Sequence, residues 1–283
     1  MLKRIGLAII FLALYQAIVS MHVLPSGQGI GVKQINLITA TMWRSRTRTP
    51  AIAIVGSSRS GWMQPDYFSV DVANLGMHGN GAATGLEIIK RSPDIPPVIA
   101  VEISDASVSF ASDQDVVSSA LSTTHLPFGY EARPVNVLIG AICPLRTAPQ
   151  YSEATLAQMR SARMRIFSRS LQKRDEIKLK SGAKQIRDLL TALEARGAHV
   201  YLFEEPMDKV MSDSQAQIDV RRILNDEFPP SRFHWLQMPN YNWQTADLIH
   251  LNGESSRQFA AALEQQVQHA EIAAREEKSF LGM

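Results

Sequence analysis

Apolar residues along this chain fall into two spacings, short runs of strand length and longer stretches at helical period. Ile52-Ala53-Ile54-Val55 is a continuous apolar run that stops at Gly56, the pattern of a strand covered on both faces. "YFSVDVANLG" (67–76) predicts a second strand ending near Asn74-Leu75-Gly76, and "PPVIAVEIS" (96–104) a third, fully buried one. "AHVYLFEEP" (198–206) and "RFHWLQMP" (232–239) read as two more. Between them the period changes. "GNGAATGLEIIKRS" (79–92) is a loop leading into a helix, and the pattern is helical from Glu153 to Arg196, with Gly197 as the C-cap. "NGESSRQFAAALEQQVQHAEIAAREEK" (252–278) is a closing helix, with a charged, frayed tail expected beyond Gln268. "ARPVNVLIGAICPL" (132–145) fits a strand or a short helix. Strands alternating with helices predict an α/β fold, a three-layer α/β/α sandwich around a mostly parallel sheet.

The N-terminus stands apart. Lys3 and Arg4 precede an uncharged, mostly apolar run of 17 residues from Ile5 to Met21. That is the short edge of a spanning helix and long for the core of a signal peptide. A membrane-spanning signal anchor over 1–24 is favoured, with a cleaved signal and a buried core helix as alternatives. The basic N-terminal side places the rest of the chain outside the cytoplasm, facing the periplasm or cell exterior. Arg44, Arg46 and Arg48, beyond the run, count the other way. Residues 25–49, opening with "PSGQGIGVK", read as a linker, and 50–268 as one domain without internal repeats.

Composition adds little. A net charge of +2 names no partner, and the single cysteine, Cys143, excludes an internal disulfide and a thiolate metal cluster. No cofactor motif is present, and no nucleic-acid recognition motif. Ten Lys or Arg against two acids between Arg160 and Arg187 make either a basic face for anionic lipid or acidic polymer, or a solvated helix surface.

In open parallel sheets, functional groups gather where strands end at their carboxyl side. Gly56-Ser57-Ser58, Asn74-Leu75-Gly76 and "ADLIHLNGESSRQF" (246–259) occupy such positions. A serine hydroxyl is a weak nucleophile until a base takes its proton. Asp247 and His250, three apart, would share a face if their turn is helical, and the carboxylate would then fix the imidazole tautomer. The α/β-hydrolase elbow is rejected: Ser60 stands where its second glycine belongs, and its acid and histidine come from separate loops.

The order of these blocks resembles the SGNH (GDSL-type) hydrolase superfamily, whose fold is flavodoxin-like. "VGSSRS" is similar to its first block, "NLGMHG" to the second and "DLIHLN" to the last, over roughly residues 50–265. The resemblance implies Ser58 as nucleophile, His250 as base and Asp247 as its orienter, with the N–H groups of Ser58 and Gly76 in an oxyanion hole. The third block departs: "VIAVEISDASV" lacks Gly-x-Asn-Asp, leaving Ser104 or Asn80 as a further donor. Arg59, Trp62, His78 and Trp243 are candidate substrate contacts. Gly-Ser-Ser-Arg behind an N-terminal anchor looks most like envelope members that esterify polysaccharides or teichoic acids beside membrane-bound O-acyltransferases. That implies an esterase or O-acyltransferase at the bacterial inner membrane, acting on an extracytoplasmic polysaccharide. The competing expectation is a weakly active or inactive SGNH-like accessory that binds glycan or organises an acylation or secretion complex.

Overall fold

The computed structural model describes residues 2–20, 31–122, 152–167 and 172–281; the segment around Cys143 lies outside them. The chain divides into two compact units, one of residues 1–46 and 118–146, the other of 47–117 and 147–283. The first contains α1 (Leu2–Ser20) and α2 (Val32–Arg44). The expected spanning helix is not found: among the described residues no helix is long and apolar enough to cross a membrane. At about 1.5 Å per residue, the uncharged run measures about 26 Å, short of a hydrocarbon core of about 30 Å. Ile9, Ile10 and Phe11 of α1 are 62–64% exposed. The stretch expected to be a linker contains α2, which buries Leu37, Ile38, Ala40 and Thr41.

The second unit holds the sheet. Its strands are β1 (Ile52–Gly56), β2 (Val72–Gly76), β3 (Val98–Glu102), β4 (His199–Phe203) and β5 (His234–Trp235). All pair in parallel, in the order β2-β1-β3-β4-β5. The strands are nearly continuous in apolar residues because both faces are covered. Ile52, Ile54, Ala100, Tyr201 and Phe203 point to one side, where they pack with Phe259, Ala260, Leu263 and Val267 of α11 (Gly253–Leu281). On the other side α4 (Ala82–Arg91) packs against β1, β2 and α8 (Lys173–Glu194), and α10 (Gln215–Glu227) packs against α8. The remaining helices are α3 (Ser58–Gly61), α5 (Asp105–Val108), α6 (Gln114–Leu121), α7 (Glu153–Phe167) and α9 (Lys209–Ser212).

The α/β fold with a parallel sheet and helices on both sides is the one the sequence predicts. Its C-terminus differs. α11 continues to Leu281, where a tail was expected from residue 269. The charges there are compatible with a solvated helix face, and one of them, Glu271, accepts from the Tyr201 hydroxyl at 2.8 Å. Strand order reverses between β1 and β3, so their carboxyl ends open a crevice at a topological switch point.

Candidate active site

The chain leaves β1 through Ser57, which caps α3 by accepting from the Arg59 N–H at 3.2 Å. From Ile52 to Ser60 every residue is buried except Ser58, which is half-exposed. The tight turn thus presents one serine of three. Ser58 Oγ lies 3.0 Å from His250 Nε2. His250 Nδ1 lies 2.8 Å from Asp247 Oδ2. The side chains sit at three-quarters burial or more, 22% exposed for His250 and 12% for Asp247, where hydrogen bonds to a charged group are stronger than in water. With the ring proton on Nδ1 facing the carboxylate, Nε2 is an acceptor for the Ser58 hydroxyl.

Asp247 and His250 meet for a different reason than the sequence suggested. The turn is not helical. Asp247 Oδ1 accepts from the Ile249 N–H at 3.2 Å and the His250 N–H at 2.8 Å, and Leu248 between them has φ 76°. A left-handed leucine costs about 1–3 kcal/mol, offset by those two bonds and by burial of its side chain, 2% exposed. One carboxylate therefore both folds the loop and orients the ring.

The donors expected around the nucleophile are placed otherwise. The Gly76 N–H donates to Asn74 Oδ1 at 2.7 Å, so it is not open to a substrate oxygen. Gly76 is glycine because the backbone of Gly61 passes against it: an added Cβ would stand 2.6 Å from Gly61 Cα. Asn74 also donates through Nδ2 to the Ser60 and Met63 carbonyls, each at 2.7 Å, which ties the α3 turn to β2. Ser104 donates to Glu102 Oε1 at 2.6 Å and is buried. Asn80 directs its amide to Asp113 Oδ2 at 3.3 Å. The Ser58 N–H, at the first position of α3, has no intrahelical acceptor.

Two of the four expected substrate contacts border the dyad. Trp62 sets its ring edge-on to His78 at 5.3 Å and to His250 at 6.3 Å. Burial, with the charge of His250 adding to it, holds the His78 imidazole down at about 4, so it is neutral at pH 7. Trp243 instead packs on Phe259 at 5.4 Å and Tyr241 at 5.1 Å, at the edge of the core. Arg59 is 1% exposed and not at the surface at all. Among the described residues no cluster of His, Cys, Asp or Glu could hold a metal ion.

Sequence reasoning passed over Glu102, which is fully buried at the end of β3. Asn74, at a strand end the sequence does single out, carries a side-chain role the sequence does not show. The visible signal for Glu102 was an acid closing an otherwise apolar strand. Gly56 answers to it: an added Cβ would stand 2.5 Å from Glu102 Oε2 and 2.6 Å from its Cβ.

No protein-family model matches the chain, and no curated protein matches it. In shape it is similar to a structure from Streptococcus pneumonia described as a candidate platelet activating factor. The identity is 11% and the TM-score 0.43, over 84% of this chain and 92% of that one. A likeness of this extent carries no functional residue across.

Proposed function

We propose that the protein is a serine-dependent esterase or O-acyltransferase of the SGNH type, acting on O-acyl groups of an extracytoplasmic polysaccharide. The observation that carries the reading is the hydrogen-bonded chain Ser58–His250–Asp247 at 3.0 and 2.8 Å at the switch point of the sheet. Ser58 Oγ attacks the acyl carbonyl carbon as His250 Nε2 takes its proton. The tetrahedral oxyanion collapses, the C–O bond to the sugar breaks, and His250 returns the proton to the departing alkoxide. Water or a second sugar hydroxyl then gives its proton to His250 and attacks the acyl-enzyme, which restores Ser58 with its proton. Hydrolysis and transfer share the first half of this sequence. The ring of Trp62, beside both histidines, is the surface on which a sugar would stack.

The membrane part of the proposal rests on α1, whose apolar side chains are exposed and which would hold the chain at the outer face of the inner membrane, beside a membrane-bound O-acyltransferase. Loss of vesicle binding on removing residues 1–24 is the expected result, and undiminished binding would remove this part. A second reading, an accessory of low turnover, is favoured by one observation: the Gly76 and Ser104 donors are already committed within the protein.

The deciding experiment is fluorophosphonate labelling of the full chain together with acetyl-ester turnover, in wild type and Ser58→Ala. Labelling and turnover lost only in Ser58→Ala supports the enzyme. Equal labelling of both removes Ser58 as nucleophile, and labelling without turnover favours the accessory.

A further inference from the structure

The turn that presents Ser58 is held from beneath by one side chain. Glu102 Oε2 accepts from the Ser57 N–H at 2.8 Å and from the Ser60 N–H at 3.3 Å, so it grips the backbone on both sides of Ser58. The Ser57 hydroxyl lies 3.0 Å from each carboxylate oxygen, and the Ser104 hydroxyl donates to Oε1 at 2.6 Å. Glu102 is fully buried, and a carboxylate out of water requires such donors and a counter-charge. Arg59, within the same turn, is the buried Lys or Arg among the described residues, and its guanidinium nitrogens make no hydrogen bond there. Its charge reaches Glu205, on the exit of β4, a residue 1% exposed that feels Glu102 and Arg59 together. That exit is tied to the base: the Asp208 N–H donates to the Leu248 carbonyl at 3.0 Å, inside the Asp247–His250 loop.

We propose that Glu102 is the positioning residue for the nucleophile, a buried clamp that fixes the Ser57–Ser60 turn so that Ser58 Oγ is aimed at His250 Nε2. Glu102 stands at the end of β3, just ahead of the place where the third sequence block departs from the SGNH pattern. Here the β3 exit supports the nucleophile turn through Glu102 and Ser104 and places no asparagine beside the substrate. The proposal rests on the reading of Ser58 as nucleophile, and its consequence is geometric as well as kinetic. In Glu102→Gln the amide oxygen can fill only one carboxylate position: at Oε2 it keeps the Ser57 and Ser60 N–H groups, but the NH2 then opposes the hydroxyl hydrogens of Ser57 and Ser104, and at Oε1 the NH2 opposes the two N–H groups. Either way the turn loses part of its hold on β3, and a misplacement of order 1 Å costs about 100-fold in rate.

The test uses the full chain with Glu102→Gln and Ser57→Ala as separate variants, each checked for folding by denaturant unfolding. Two quantities are read: ester kcat and KM, and the 15N resonances of the His250 ring. For Glu102→Gln the expected result is a kcat lower by about 10- to 100-fold with KM within about twofold. Its His250 Nε2 resonance should move toward that of Ser58→Ala, which lacks the hydroxyl. Ser57→Ala, which keeps the carboxylate and removes one donor to it together with the cap on the Arg59 N–H, should move both quantities the same way by a smaller amount. It serves as the test if Glu102→Gln does not fold. A folded Glu102→Gln with the wild-type His250 resonance and wild-type kcat overturns the proposal. If wild type itself shows no turnover, the enzyme reading fails, and the resonance still decides whether Glu102 aims Ser58: a shift upholds the clamp, and none refutes it.

Discussion

Replacing Asp247 by asparagine separates the two tasks of that residue. The amide oxygen can still accept from the Ile249 and His250 N–H groups, which the carboxylate holds at 3.2 and 2.8 Å, so the loop and the left-handed Leu248 survive. The amide NH2 then faces His250 Nδ1, where the carboxylate oxygen stood at 2.8 Å. A donor there makes Nδ1 an acceptor and moves the ring proton to Nε2, which then points a donor at Ser58 Oγ. The serine loses its base while the fold is kept. The expected effect is a fall in kcat of about 10,000-fold, roughly 5 kcal/mol of barrier, with a stability loss of about 1.5–3 kcal/mol for one charge-assisted bond. Asp247→Ala should behave differently. It also removes the two backbone bonds and leaves Leu248 unsupported, so its stability should fall by about 2–4 kcal/mol beyond that of the asparagine variant. The assays are the second-order rate of fluorophosphonate labelling at pH 7 and urea unfolding of the same samples. An asparagine variant that labels within about tenfold of wild type, with Ser58→Ala unlabelled, refutes the tautomer argument.

Other outcomes follow from the same geometry. His250→Ala should lose more turnover than Asp247→Ala, because it removes the base and not its orienter; equal turnover in both and in wild type would count against the proposed triad. Burial pushes the Glu205 carboxyl up to about 8, with Arg59 and the Leu251 backbone N–H opposing and Glu102 adding to the rise. The folded chain then keeps a proton that the unfolded chain releases near 4.5, so stability should fall as pH rises from about 4.5 to about 8. Glu205→Gln should flatten that slope in urea midpoints taken across the range; parallel curves would show that Glu205 does not titrate there. Gly76→Ala forces a Cβ against the Gly61 backbone and should cost about 1–3 kcal/mol or more in unfolding free energy. Phe259→Ala empties a fully buried site beside Phe203 and Trp243, for a loss of about 3–5 kcal/mol by the same measurement.

The order of elements was legible because it rests on local pattern. Apolar runs that end in Gly56 and Glu102 are the pattern of strands covered on both faces, as in a parallel sheet between helices, and the spacing over 252–278 is that of a helix. The candidate nucleophile was legible for the same reason, as a serine just past a strand end, and so was the Asp-x-x-His pair, whose members are near in sequence. What the sequence could not determine is the use of each polar group, because that depends on partners distant along the chain. Glu102 reaches Ser57 across 45 positions and His250 reaches Ser58 across 192. The Gly76 N–H looks free in the sequence and is taken by Asn74 once β2 has folded, and Arg59 looks exposed in a serine-rich turn until the exits of β3 and β4 close over it. A single hydrogen bond depends on an approach of about 3 Å, and only the packing of α11 and the sheet decides which atoms come that close.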